Sequence, residues 1–88
     1  MDKPIPPTDL LHRWQIYILR LRLGIPEDNL EQSLQMFNDL EWASRCYDEQ
    51  EQAMKSDPAL GAWCIILSDH HTGQPIYMNG VGTDLLLG

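Results

Sequence analysis

Basic residues are scarce in this sequence. Six Lys and Arg stand against 13 Asp and Glu, which gives the 88-residue chain a formal net charge of -7. A protein that binds nucleic acid directly needs clustered Lys and Arg to displace the counterions of the phosphates. The composition therefore argues against direct nucleic-acid binding and favours a protein partner with a basic surface.

Cysteines are also few, and long apolar runs are absent. Cys46 and Cys64 are the two cysteines, and the proline-rich residues 1–8 lack the apolar stretch of a secretory signal. Both thiols are therefore expected to be reduced, as in the cytoplasm. No apolar run approaches the length that spans a bilayer. We expect a cytoplasmic protein without a membrane partner.

No catalytic, cofactor or metal motif occurs. A cysteine enzyme would pair Cys46 or Cys64 with His12, His70 or His71, but Cys64 lies in an apolar run where a thiol is usually a small hydrophobic side chain. The histidines lack further ligands at a metal-binding spacing, and the acids do not form a calcium loop. We expect no catalytic residue, metal or cofactor, and a small Cys/His enzyme or metal-binding protein remains an alternative.

The longest uninterrupted feature is the segment 26–56, which has no glycine and no proline after Pro26. Residues 27–57 carry nine acidic and two basic residues, equivalent to the whole net charge. This composition predicts a long acidic helix over residues 27–56. Its apolar residues on one heptad seam are Leu30, Phe37, Leu40, Tyr47 and Met54.

The segment before it is predicted to be a second helix. Residues 1–8 contain three prolines and are expected to be an extended arm, and the apolar spacing of residues 9–23 predicts a helix. The alternation in residues 19–23 would also suit a strand. We favour the helix, because its longer period covers the whole segment, and expect it to form a helical hairpin with residues 27–56.

The last third of the chain is predicted to be β structure. The apolar run at 63–67, a turn at 69–73 and the run at 76–78 predict a β-hairpin over residues 62–79. The tail, residues 80–88, is either a third strand or a short helix. The predicted fold class is α+β: one domain over residues 1–88, with an N-terminal helical hairpin, a long acidic second helix and a small antiparallel β-hairpin or three-stranded sheet.

Trp42 is the residue on which the functional interpretation depends. A helical wheel places it away from Tyr47 and Met54, so it either packs beneath the β-hairpin or is exposed to a partner. An exposed Trp surrounded by acids has the anatomy of a binding hot spot. The candidate partner-binding residues are Glu41, Trp42, Asp48 and Glu49.

These observations predict a non-enzymatic protein-binding module, an adaptor or inhibitor that docks on a basic surface. A nucleic-acid-handling partner would fit, because small acidic inhibitors that mimic DNA or block defence systems act in this way, an analogy of size and charge. The alternative is a homo-oligomeric assembly protein, for example a homodimer through the long helix.

Overall fold

The computed structural model describes residues 12–87, apart from the side chains at positions 85 and 87. The arm predicted for residues 1–8 lies outside this range. The described chain forms one antiparallel sheet of four strands in the spatial order β2-β1-β3-β4, with a helix between β2 and β3 and a short helix at the end. The elements are β1 (Trp14–Arg22), β2 (Asn29–Phe37), α1 (Leu40–Lys55), β3 (Leu60–Asp69), β4 (Pro75–Val81) and α2 (Thr83–Leu87).

The predicted N-terminal helical hairpin is wrong. The segment 9–23, predicted as a helix, contains β1, and the single helix predicted for residues 27–56 is divided into β2 and α1. Within residues 12–87, α1 is the one long helix, and the fold is an α+β fold dominated by its sheet. Neither of the two helices in this range is long and apolar enough to cross a membrane.

β1 is a strand because it is an inner strand with apolar residues on both faces. Ile16 and Ile18 are buried beneath α1, whereas Tyr17 and Leu19 point to the opposite side of the sheet. Aromatic and β-branched residues favour this pleated surface. With apolar residues on both faces, β1 matches a helical spacing as readily as an alternating one.

β2 is an edge strand made largely of good helix formers. Its pairing with β1 brings Glu31 opposite Arg20, and the carboxylate of Glu31 lies 3.2 Å from Nε of Arg22 and 3.6 Å from Nε of Arg20. These cross-strand contacts and the main-chain ladder override local helix propensity.

α1 begins two residues after the end of β2. Asp39 is its N-cap: the backbone there is extended, and the side chain accepts a hydrogen bond of 3.2 Å from the backbone N–H of Glu41. The helix lies across one face of the sheet, and we call this side the covered face. The core between them consists of Ile16, Ile18, Trp63, Ile65 and Leu67 from the sheet and Ala43, Tyr47 and Met54 from α1.

β3 and β4 form an antiparallel hairpin over the region where the sequence predicts one, residues 62–79. The third strand considered for residues 80–88 is absent from the described residues of that tail. α2 begins there at Thr83 instead and packs against β3 and β1 on the side of the sheet opposite α1.

Candidate functional site

The four candidate partner-binding residues lie together on the outer side of α1. Trp42 is 58% exposed, and Glu41, Asp48 and Glu49 are exposed as well. Seven residues separate Glu41 from Asp48 and Trp42 from Glu49, so each pair lies on one line of the helix, about 10 Å apart. The outer face of α1, defined by these four residues, therefore carries an exposed indole among three acids.

Arg45 is the basic residue beside this surface. Its Nη2 lies 3.6 Å from Oε1 of Glu41, and both side chains are mostly exposed. An exposed pair of this kind is worth little in water, so a basic partner can replace Arg45 at small cost. Three acids against one base leave the outer face of α1 negative.

Glu51, unlike the acids on the outer face of α1, contacts the sheet. Its carboxylate accepts a hydrogen bond of 2.8 Å from Nδ2 of Asn79 in β4 and lies 3.6 Å from the ammonium of Lys55. Tyr47, one turn before it, packs its ring 5.7 Å from that of Tyr77 in β4. These contacts fix the orientation of α1 on the sheet and thereby keep Trp42 pointing outward.

Comparisons with protein-family models, curated proteins and solved structures give no match. Function is therefore inferred from the geometry of this chain.

A second surface, absent from the sequence prediction, is the side of the sheet opposite α1. We call it the open face, although α2 covers the end of it where Ala62 is fully buried. It consists of the even-numbered residues of 30–36 in β2, of 62–68 in β3 and of 78–80 in β4, and the odd-numbered residues of 15–21 in β1. None of these positions carries Asp, Glu, Lys or Arg. The even-numbered spacing of the apolar residues in 30–36 is the signal that could have revealed this face, because Leu30, Leu34 and Met36 lie on one side of a strand.

The open face has a ridge and a groove. The ridge is Leu30 and Leu34 of the edge strand β2, which are 55% and 57% exposed. The groove, with a volume of about 480 Å³, lies over β1, β3 and β4 beside the start of α2. Its walls and floor are formed by Tyr17, Leu19, Cys64, Ile66, Met78, Asn79, Gly80 and Thr83.

The cysteine and histidine residues do not form a catalytic pair around Cys64. Cys64 lies in the groove of the open face, and His70 follows it by six residues along β3 and its end, about 20 Å at the rise of a strand. Cys46 packs against the core between α1 and the covered face, so the two free thiols lie on opposite sides of the sheet. In residues 12–87, no cluster of three or more potential ligands could hold a metal ion.

Asp69, not the histidines beside it, is the organising residue of the β3–β4 turn. Its carboxylate accepts a hydrogen bond of 2.9 Å from the backbone N–H of His71, and its other oxygen accepts bonds of 3.1 and 2.9 Å from the Arg13 guanidinium. The Arg13 hydrogen bonds hold the pKa of Asp69 below its ordinary value, although partial burial opposes them. The ionised form therefore ties the turn to the residue before β1.

We expect Asp69→Asn to remove the part of the folding stability that is lost when the pH becomes acidic. A carboxyl group with a lowered pKa in the folded state stabilises fully above its unfolded pKa, and this contribution is lost as the pH falls through the lowered folded value. The melting temperature of the wild type should therefore fall more steeply than that of Asp69→Asn on acidification below about pH 4. Thermal unfolding from neutral to strongly acidic pH measures the difference.

Asp48→Asn is the matched control, since Asp48 is exposed on α1. Its unfolding profile should run parallel to that of the wild type. Parallel profiles for Asp69→Asn and the wild type would contradict the role assigned to the Arg13 contact.

Proposed function

We propose that the protein is a non-enzymatic binding module of the cytoplasm that docks the outer face of α1 on a basic surface of a partner protein. It would act as an adaptor or an inhibitor, and a nucleic-acid-handling protein is a suitable partner, because its channel offers the required positive surface. Docking on the binding surface of such a protein would block it without any contact between this chain and nucleic acid.

The observation that carries this proposal is the exposure of Trp42. An indole buries a large apolar area and is among the side chains that contribute most to protein interfaces. Here it is 58% exposed although the core beneath α1 is filled by Ala43, Tyr47 and Met54. The acids around it attract a basic partner, repel an acidic one and raise the association rate.

The test is capture of proteins from the native host by the immobilised full-length chain, with mass spectrometry of what is retained. We expect Glu41→Lys with Glu49→Lys to abolish capture of the basic partner while the fold stays intact. Trp42→Ala should weaken the isolated complex by about 30-fold, the loss expected for an interface anchor.

The matched control is Glu27→Lys with Asp84→Lys, which changes the net charge equally at exposed positions away from α1. This control should retain the partner. Equal capture by the α1 double variant and the wild type would contradict the proposal. Equal loss of capture in both double variants would show that the interaction depends on net charge alone.

A further inference from the structure

We propose that the groove of the open face is a binding site for a small, uncharged aromatic molecule. The site is separate from the outer face of α1, which lies on the other side of the sheet. The groove has a volume of about 480 Å³, within the range of about 300–1,000 Å³ that is typical of pockets for small molecules. This site adds a ligand to the protein-binding function proposed above and does not depend on it.

Two neighbouring rows of cross-strand partners, each with one residue from β1, β3 and β4, build the groove. The first row is Tyr17, Ile66 and Met78, and the second row is Leu19, Cys64 and Gly80. Adjacent strands lie about 4.8 Å apart, so each row spans about 10 Å from β1 to β4. This width admits an aromatic ring system but not a helix, whose diameter with side chains is about 10–12 Å.

The second row is the deeper one, because its members in β3 and β4 are small. Cys64 has a short side chain, and Gly80 has none. Thr83, at the start of α2, lies over Gly80: its Cγ2 is 2.7 Å from the position that a Cβ of residue 80 would take. The register and the start of α2 therefore leave a hollow over Cys64, between Leu19 and Thr83.

The first row supplies two side chains that suit an aromatic ligand. The hydroxyl of Tyr17 donates a hydrogen bond of 3.0 Å to Oε1 of Gln32, which restrains the Tyr17 ring beside the hollow. Met78 lies on the other side of Ile66 and is 64% exposed. Aromatic rings attract each other at centroid distances of about 4.5–7 Å, and a methionine sulfur makes favourable contacts with ring edges. An aromatic molecule in the groove therefore has a suitable neighbour on each side.

The groove offers no charge that would offset the desolvation of an ionic ligand. None of the described residues that line it is Asp, Glu, Lys or Arg. A charged group would therefore lose its hydration without gaining an ion pair. Asp84, which is exposed next to Thr83, and the net charge of -7 also repel an anion. The site consequently favours an uncharged molecule, and most strongly over an anionic one.

Two fluorescent dyes with the same ring framework test the ligand class: phenylnaphthylamine is uncharged, and anilinonaphthalenesulfonate carries an additional anionic sulfonate. Each dye is titrated with the full-length chain. We expect phenylnaphthylamine to bind with a dissociation constant of about 10–100 μM, which suits a ligand of about 17 non-hydrogen atoms. The anionic dye should bind at least about tenfold more weakly. Absence of phenylnaphthylamine binding, or equal binding of the two dyes, overturns the proposal.

The two cysteines of the wild type report where the dye binds. Cys64 lies in the groove and Cys46 lies on the other side of the sheet, so alkylation by iodoacetamide has an internal reference. Alkylation of Cys64 should slow in proportion to the fraction of chains that hold phenylnaphthylamine, and alkylation of Cys46 should not change. Mass spectrometry of the two cysteine peptides measures both rates. An unchanged rate at Cys64 would place the dye elsewhere and overturn the proposal.

Cys64→Phe fills the hollow and should raise the dissociation constant of phenylnaphthylamine at least about tenfold, because the added ring takes the place of the ligand. The matched control is Leu30→Ser, which removes an exposed apolar side chain from the same face outside the groove and should change the dissociation constant by less than about twofold. Circular dichroism spectra establish that both variants are folded, and the alkylation measurement on the wild type is independent of them. Unchanged binding by Cys64→Phe, or weaker binding by Leu30→Ser alone, overturns the proposed site.

Discussion

Replacement of Ile65 by alanine should lower the free energy of unfolding by about 3.5 kcal/mol, as for a fully buried side chain with little room for the surroundings to collapse. Ile65 has no exposed surface and lies in the inner strand β3, paired with Ile18 on one side and with Asn79 on the other. α1 closes the space above it. The cavity would therefore open where two strands and the helix meet.

A loss of this size should lower the melting temperature by about 15 to 25 °C in a domain of this length. Urea or thermal unfolding at one fixed protein concentration measures it, since self-association would add a concentration-dependent stability. Ile25→Ala removes the same atoms from a fully exposed position and should change the free energy of unfolding by less than about 0.5 kcal/mol. Similar effects of the two substitutions would contradict the described core.

The sequence correctly separates the two sides of α1. Tyr47 and Met54, predicted on one apolar seam, are buried, and Trp42, placed away from them, is 58% exposed. Leu40, predicted on the same seam at the first position of α1, is instead 37% exposed. The helical period extends over α1 itself, so the wheel holds for residues 40–55 whatever precedes them. Local pattern is sufficient here because neighbours along a helix are also neighbours in space.

The same local reasoning fails for β1 and β2, since their structure depends on distant partners. The segment 30–36 contains Leu, Glu, Gln and Met, which favour helices, and it becomes a strand through its ladder with β1. A rod of about 30 residues would measure about 45 Å, whereas the 16 residues of α1 measure about 24 Å and fit across the sheet. Asn38 and Asp39 were the available signal for the break, because Asp is a preferred N-cap.

The open face could not be predicted for a related reason. It combines every second residue of four strands, and a shift of one residue in any register would move those side chains to the opposite side. Leu34 and Met78 are 44 residues apart in the chain and share a row only through β1 and β3. A surface assembled from such pairings becomes visible only once the sheet is known.

Gly80→Ala should destabilise the protein by about 2 kcal/mol, as overpacking does in a tight site, although local propensity predicts the reverse. Glycine within a strand usually costs about 0.5 to 1 kcal/mol relative to alanine. At this position a Cβ would lie 2.9 Å from the carbonyl oxygen of Trp63 and 2.7 Å from Cγ2 of Thr83. The carbonyl belongs to the neighbouring strand β3 and cannot move without disturbing the sheet.

Thermal unfolding separates this crowding from ordinary backbone strain. Gly73→Ala is the comparison: Gly73 has a φ of 78° with open space around it, so the left-handed backbone alone should cost about 1 kcal/mol. Adding Thr83→Ser to Gly80→Ala removes the methyl contact but leaves the carbonyl contact, and it should recover part of the lost stability. A stabilising Gly80→Ala, or a double variant no better than the single one, would show that β3, β4 and the start of α2 do not approach as closely as described.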